Sequence, residues 1–187
     1  PTCRKDYRIA EIHYEYADNG NQTRIWYNDV SGQPANRFDT GYAVIYQEFE
    51  AGRLTSKRYE GWQDQTFKPV PDKTTGASAT HYIYSFGQKM EERYFDESGA
   101  PVLRTDIGCA VQRYTYDNST GRLSSRHYFD TDDQPVISSK YHCAGFQYEY
   151  NNKGKQVATL YLGTDGEPII RSDLGYARVN SEYDSRG

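Results

Sequence analysis

Short stretches of the chain alternate aromatic and polar residues, and polar turns separate these stretches. Tyr114 and Tyr116 are two residues apart, as are Tyr148 and Tyr150, so each pair points to one face of a β-strand. The segments DNSTG and NNKG that follow supply Asn, Asp and Gly, which favour short hairpin loops. A second strand then returns through segments such as RLSSRHYF. The pattern therefore predicts a series of β-hairpins.

The hairpin pattern recurs along the whole chain. The last aromatic residue of each aromatic-x-aromatic element is an anchor, and successive anchors are 33, 35, 32, 34 and 33 residues apart. A small residue lies six positions before each anchor, and a Gly follows each anchor within five residues. These features predict an all-β chain with a single repeat array over residues 1–187, made of about five units of about 33 residues, each a hairpin plus a connector. The anchors are Tyr16, Phe49, Tyr84, Tyr116, Tyr150 and Tyr183.

The units can be joined in two ways, as an extended sheet or as a solenoid-like array. Cys109 and Cys143 occupy the same position in adjacent units and report the distance between them. A solenoid, with one strand per unit in each sheet, would separate these cysteines by about 4.8 Å, within reach of a disulfide. Two strands per unit in one sheet would separate them by about 9.6 Å and prevent a disulfide. Hairpins favour the wider spacing, so we expect these two cysteines and Cys3 to be unbridged.

The anchor rings are expected to form the aromatic core that joins adjacent units, because an isolated two-stranded hairpin is only marginally stable. On this interpretation Tyr116 and Tyr150 contribute more to stability than Tyr59, which belongs to an irregular second unit. In that unit GWQDQTFKPVPDKTTGAS replaces the usual acidic turn, which predicts an added loop around residues 60–76. In the regular units a Pro follows the second strand and is expected to end strand pairing.

The composition of the chain restricts the classes of partner that it is expected to bind. The chain contains 19 tyrosines and has 26 acidic against 22 basic residues, with a net charge of −4. This mild acidity, without any basic run, argues against nucleic-acid binding. No apolar run approaches the length of a membrane-spanning helix, so we expect no membrane insertion. The chain begins without Met and ends just after a repeat-like turn, which we interpret as a fragment of a longer protein.

The sequence holds none of the common catalytic or nucleotide-binding motifs, among them G-x-S-x-G, H-E-x-x-H, G-x-G-x-x-G and the P-loop. The four histidines lie in different units and are interpreted as strand residues. Acidic segments such as DESG and DTDD supply the residues that backbone turns require, and no EF-hand spacing accompanies them. We therefore predict no enzymatic activity, no catalytic residue, no metal site and no cofactor.

The pieces RYTYDNSTGRLSSRHYFD and QYEYNNKGKQVATLYL resemble the YD repeats of bacterial RHS and toxin-shell proteins. The YFDxxG element is also similar to cell-wall and glucan-binding repeats, whose aromatic hairpins hold choline or sugar. Both resemblances imply a bacterial surface or secreted protein, extracellular in location, whose repeats form a shell, a stalk or a binding face.

Exposed aromatic rings are the best candidates for ligand contact, because they stack on sugars and pack against protein partners. The repeat pattern leaves Trp26, Tyr59 and Trp62 least explained, and these are the candidate ligand-binding residues. The leading hypothesis is a non-enzymatic scaffold or protein-interaction module, and the alternative is a carbohydrate or cell-wall binding module. The identity of the protein partner or polysaccharide stays open.

Overall fold

The computed structural model describes residues 8–184, and in this range every regular element is a β-strand. No helix of the described residues is long and apolar enough to cross a membrane. Contacts divide the chain into two compact units, residues 8–83 with 92–106 and residues 84–91 with 107–184, and two strands contribute to both. The strands are β1 (Glu11–Tyr16), β2 (Gln22–Asn28), β3 (Val44–Glu50), β4 (Arg53–Gln63), β5 (Thr66–Pro69), β6 (Ala79–Ser85), β7 (Gln88–Phe95), β8 (Val111–Tyr116), β9 (Leu123–Phe129), β10 (Gly145–Tyr150), β11 (Gln156–Leu162) and β12 (Arg178–Asn180).

Within each unit the strands follow one another across an antiparallel sheet. The first unit has the order β1-β2-β3-β4-β6, and β5 pairs with β4 beside this path. The second unit has the order β8-β9-β10-β11-β12. The all-β prediction is confirmed. In both units each hairpin adds its two strands to the sheet, which is the extended-sheet alternative and not the solenoid.

Four hairpins carry the same irregularity in their second strand. One residue of that strand has no partner opposite it, so the register shifts just before the anchor. The hydroxyls of Thr23 and Thr55 donate to the carbonyls of Glu15 and Glu48 at these points, over 3.3 and 3.2 Å. Such bulges bend the strand and increase its twist. The unpartnered positions are Thr23, Thr55, Ser124 and Val157.

The most buried rings come from the second strand of each hairpin, not from the anchors. Tyr94 and Tyr128 are 1% and 0% exposed, whereas the anchor Tyr16 is 58% exposed. The prediction that the anchors form the core is therefore wrong, and so is the lower rank given to Tyr59, which is 8% exposed. Rings from the connectors cover this face of the sheet. The buried second-strand tyrosines are Tyr27, Tyr59, Tyr94, Tyr128 and Tyr161.

Three of the anchors instead fasten one hairpin to the preceding one. In the second unit the hydroxyls of these three tyrosines each donate to a main-chain carbonyl in the second strand of the hairpin before it. Because the donor and the acceptor belong to different hairpins, each bond resists their separation. The pairs are Tyr116 with Lys89 at 2.9 Å, Tyr150 with Leu123 at 2.9 Å and Tyr183 with Gln156 at 2.8 Å.

The small residue six positions before the anchor lies at the junction between two hairpins. The N–H of Ala144 donates to the carbonyl of Leu162 over 2.7 Å, and its own carbonyl accepts the N–H of Tyr128 over 2.8 Å. Ala144 thus bonds second strands on both sides, and it is 1% exposed. Ala43 makes the corresponding pair of bonds in the first unit. A larger side chain at such a position would have to displace packed neighbours, which explains the recurring small residue.

Three connectors contain an arginine and an aspartate two residues apart that form a two-pronged ion pair. In the first of these pairs Arg37 donates from Nε and Nη2 to Asp39 over 3.0 and 2.6 Å. The guanidinium also lies over the ring of Tyr27, 5.2 Å from its centroid. We call this ion pair the Arg–Asp clamp. Its sequence signal is R-x-D-x-G, which recurs at residues 37–41, 104–108 and 171–175. The remaining pairs are Arg104 with Asp106 over Tyr94, and Arg171 with Asp173 over Tyr161.

The turn after the second strand does not end pairing at the proline. Pro101 forms an isolated antiparallel bridge with Phe95, and the next residue, Val102, donates its N–H to the carbonyl of Tyr94 over 3.0 Å. Because the following residue supplies the donor that proline lacks, the chain keeps one more contact with its strand. Inside this turn the Asp96 carboxylate accepts the N–H groups of Ser98 and Ala100.

The hairpin loop at Asp117 provides a test by titration. Hydrogen bonds from the Ser119 and Thr120 hydroxyls, over 2.6 and 2.8 Å, lower the pKa of Asp117 from 3.8 to about 2. A depressed folded-state pKa stabilises the loop above pH 3.8, and this contribution is lost as pH falls through about 2. We expect carbon-13 NMR to place the midpoint near 2, and Ser119→Ala to raise it. A wild-type midpoint at the ordinary value of Asp would contradict the loop geometry.

The cysteines give a second test. Cys109 and Cys143 are buried and unbridged, as predicted, while Cys3 lies outside the described residues. Burial raises the pKa of Cys143, which makes its thiol a weaker nucleophile near neutral pH. We expect a thiol reagent to label Cys109 and Cys143 slowly in the folded protein, and all three cysteines in guanidinium without reductant. A count of one thiol under denaturing conditions would contradict the structure.

Candidate functional site

The sheet of the first unit has a second face, opposite the buried tyrosines, which we call the outer face. Directly paired residues share a face of a sheet, and side chains alternate along each strand. One row therefore joins Trp26 to Val44 and Glu60, and the adjacent row joins Arg24 to Tyr46 and Arg58. The side chains that define the outer face are His13, Arg24, Trp26, Tyr46, Arg58, Glu60 and Trp62.

Trp26 is stacked with its neighbours on the outer face. Its ring is nearly parallel to that of His13, with 5.0 Å between centroids and 10° between planes. The guanidinium of Arg24 lies 4.7 Å from the centroid of the Trp26 ring. The indole is therefore partly covered by the protein itself, and it is half-buried.

Tyr46 lies between two arginines. Arg24 approaches its ring centroid to 5.4 Å and Arg58 to 4.1 Å. Arg58 also donates to a carboxylate oxygen of Glu60 over 2.7 Å. The Glu60 side chain is 13% exposed and that of Arg58 is 49% exposed, so the carboxylate is the more desolvated member of this ion pair.

Trp62 lies on the part of β4 that extends past β3. Asn36 holds it by accepting the Trp62 N–H over 2.7 Å and by donating to its carbonyl over 3.1 Å. The ring contacts Phe67 of β5 edge-on, with 4.8 Å between centroids. The hairpin β4–β5 is the added loop that the irregular segment predicted.

Of the three predicted ligand-binding residues, Tyr59 lies on the core face of the sheet and not on the outer face. It pairs with Ile45, so its ring faces the core, where it stacks on Tyr42 with 4.7 Å between centroids. Burial raises the pKa of Tyr59 to about 12, as expected for a phenol away from water. Its ring is therefore not available as a ligand-stacking platform. Trp26 and Trp62 share the outer face, and their role in ligand binding remains a prediction.

A groove that the sequence analysis missed opens on the outer face, and we call it the β4–β6 groove. Its volume is about 350 Å³. The rings of His81 and Phe95 form one wall, with 4.6 Å between their centroids. The only sequence signal near it is the irregular segment, since the lining residues are scattered along the chain. The residues that line the groove are Arg58, Tyr59, Glu60, Pro69, Ser78, Ala79, His81, Phe95 and those of the turn at residues 96–99.

The described residues contain no group of three or more His, Cys, Asp or Glu side chains arranged to hold a metal ion. His13, His81 and His127 lie on strands β1, β6 and β9, whereas His142 lies in a connector with a φ of +53°, so its interpretation as a strand residue is wrong. The His13 ring is hydrogen-bonded to the side chains of Glu11 and Asn28. The His127 ring packs against Gly145, and desolvation lowers the pKa of this histidine.

Comparisons with protein families and with curated proteins found no match. Among solved structures, the chain is similar to TcdB2-TccC3-Cdc42, with 12% identity and a TM-score of 0.32 over 80% of this chain and 9% of that chain. A structure of TcdB2-TccC3 without its hypervariable C-terminal region gives 13% identity and a TM-score of 0.24 over 80% of this chain and 10% of that chain. The chain thus spans a tenth or less of these proteins.

Proposed function

We propose that this chain is a non-enzymatic scaffold module that presents a protein-binding surface. The observation that carries the proposal is the recurring bond from an anchor hydroxyl to the main chain of the preceding hairpin. Bonds of this kind join hairpins whatever is bound to them, so they favour a sheet that keeps its shape. A surface held in this way is preorganised, which reduces the ordering cost of binding a partner.

The polar side chains of turns and connectors support the same role. The Asp29 and Asp96 carboxylates accept turn N–H groups, and the clamp aspartates bind arginine in two-pronged pairs. Groups engaged in this way are placed for structure, whereas a general acid or a nucleophile must reach a reacting atom. The location that we propose for the module, on a bacterial surface or in a secreted protein, is the one that the resemblance to YD-repeat proteins implies.

The scaffold role is tested by the coupling between hairpins. Tyr150→Phe removes only the hydroxyl that bonds the carbonyl of Leu123, and a bond of this type contributes about 1 kcal/mol. We expect hydrogen exchange to show lower protection in both joined hairpins, β8–β9 and β10–β11. Tyr16→Phe is the matched control, because that hydroxyl only accepts a 3.3 Å bond from Gln22 within its own hairpin. A change confined to β10–β11 would contradict the fastening role.

The absence of catalysis is tested with a panel of glycoside, ester and peptide substrates. Glu60 is the natural variant site, because its partly buried carboxylate lines the β4–β6 groove. We expect no turnover by either the wild-type protein or Glu60→Gln. Turnover by the wild type that Glu60→Gln abolishes would overturn the non-enzymatic proposal.

A polysaccharide ligand is the second candidate function, and the placement of Trp26 and Trp62 on one face favours it. Indole rings stack on sugar rings, and nearby arginines donate to hydroxyl groups. Tryptophan fluorescence measured against a panel of cell-wall polysaccharides tests this candidate, with Trp26→Phe and Trp62→Phe as the variants. An emission spectrum that no polysaccharide changes would eliminate it.

A further inference from the structure

The β4–β6 groove exists because one edge of β4 changes partner. Arg58 pairs with Ala79 of β6, whereas Glu60, two residues later, pairs with Pro69 of β5. The N–H of Tyr59 donates to the carbonyl of Ser78, and its carbonyl accepts the N–H of Val70. The two neighbouring segments therefore diverge from a single point of β4. The groove is the space that opens between them on the outer face.

The groove combines an aromatic wall with a partly desolvated carboxylate. Phe95 and His81 supply ring faces and edges, and Pro69 adds an apolar surface opposite Glu60. Arg58 donates to one oxygen of Glu60 and lies over Tyr46, so it is held against the sheet. No other hydrogen bond to this carboxylate is present among the described residues, which leaves it capacity to accept further donors.

The net charge of the residues that line the groove favours a positively charged ligand. Among the acidic side chains and the arginine of the lining, Glu60, Asp96 and Glu97 carry three negative charges against one positive charge on Arg58, a difference of −2. An aromatic ring face attracts a cation, and a carboxylate of low exposure interacts with a cation more strongly than one in open water. The apolar wall suits the aliphatic stem that joins such a cation to a peptide backbone.

We propose that the β4–β6 groove binds a basic side chain, Arg or Lys, of a protein partner. This inference rests on the proposed protein-binding function and names the chemistry that its surface recognises. The aliphatic stem lies along His81, Phe95 and Pro69, and the cationic head donates to Glu60 beside the acidic turn.

The test uses three blocked tripeptides as probes. These are acetyl-Ala-Arg-Ala-amide, acetyl-Ala-Lys-Ala-amide and the citrulline analogue of the first, which keeps the shape of arginine without its charge. We expect nitrogen-15 NMR shift changes at residues 58–60, 79–81 and 95–99 with the two basic peptides. The affinity should fall at least about fivefold with citrulline and about tenfold from 50 to 500 mM NaCl, because the contact is charged and open to solvent.

Two groove variants and one control separate the contributions. Glu60→Gln removes the charge at nearly constant shape, and we expect it to weaken binding of the arginine peptide at least about fivefold. Phe95→Leu keeps an apolar wall but removes the ring face, which should weaken binding about two- to fivefold. Glu48→Gln is the matched control, since Glu48 lies on β3 of the same outer face but does not line the groove, and its affinity should equal that of the wild type.

Several outcomes would overturn the proposal. These are equal binding of the citrulline peptide, shift changes outside the groove, no shift at millimolar peptide, or equal weakening by the Glu48 control. Groove shifts produced by chitobiose and not by the basic peptides would assign the groove to a carbohydrate instead. Failure here leaves the hydrogen-exchange result for Tyr150→Phe unaffected, so the scaffold function and the groove ligand are tested separately.

Discussion

Replacing Tyr128 with Ala is expected to lower the free energy of unfolding by about 3–5 kcal/mol, the range for truncating an aromatic ring in a core. The Tyr128 ring is fully buried, and it stacks on Tyr141 with 5.6 Å between centroids and 9° between planes. It also meets Phe146 edge-on, with 6.1 Å between centroids. Urea unfolding followed by circular dichroism measures the change.

Two companion variants test separately the contribution of the Tyr128 hydroxyl and that of an anchor ring. Its hydroxyl is buried with no hydrogen-bond partner among the described residues, so Tyr128→Phe should be neutral or stabilising. Tyr116→Ala, at an anchor, removes a half-buried ring and one bond to the carbonyl of Lys89, and should cost about 1–2 kcal/mol. Equal losses for Tyr128→Ala and Tyr116→Ala would contradict the assignment of the core to the second strands.

Gly108→Ala is expected to be the most damaging glycine substitution in the connectors, with a loss of about 2–5 kcal/mol. Gly108 has a φ of +71°, where an L-residue is strained by about 1–2 kcal/mol. A Cβ there would also lie 3.0 Å from the main-chain nitrogen of Ser139 and 2.6 Å from its Oγ, which adds an overpacking cost of about 1–3 kcal/mol. Chemical denaturation of the variant provides the measurement.

Gly99→Ala is the matched control for Gly108→Ala. Gly99 has a φ of +83°, but a Cβ there would have no heavy atom within 4 Å. This variant therefore reports the backbone strain alone, about 1–2 kcal/mol, and the difference between the two variants reports the contact with Ser139. Losses of the same size would show that the connector yields to the added methyl group.

The features that the sequence determined by itself are local. The spacing of Tyr148 and Tyr150, followed by the Asn- and Gly-containing loop NNKG, is sufficient for a hairpin because strand alternation and φ > 0 turns depend on adjacent residues. The sequence also shows a small residue six positions before each anchor, and the structure places one of these residues, Ala144, at a junction between hairpins. Cys109 and Cys143 are unbridged, as the prediction of two hairpin strands per unit required.

Tertiary structure decided which of the aromatic rings became core. Tyr116 and Tyr128 lie on the same face of the sheet, because Tyr128 pairs with Gln112, four residues before Tyr116 on β8. The connector ring of Tyr141 stacks on Tyr128 and helps to bury it, whereas Tyr116 lies past the bulge and its hydroxyl reaches the main chain of the neighbouring hairpin. These are long-range choices that no local pattern encodes. The same holds for the β4–β6 groove, because the change of partner along β4 brings Glu60 and Phe95 together from positions 35 residues apart.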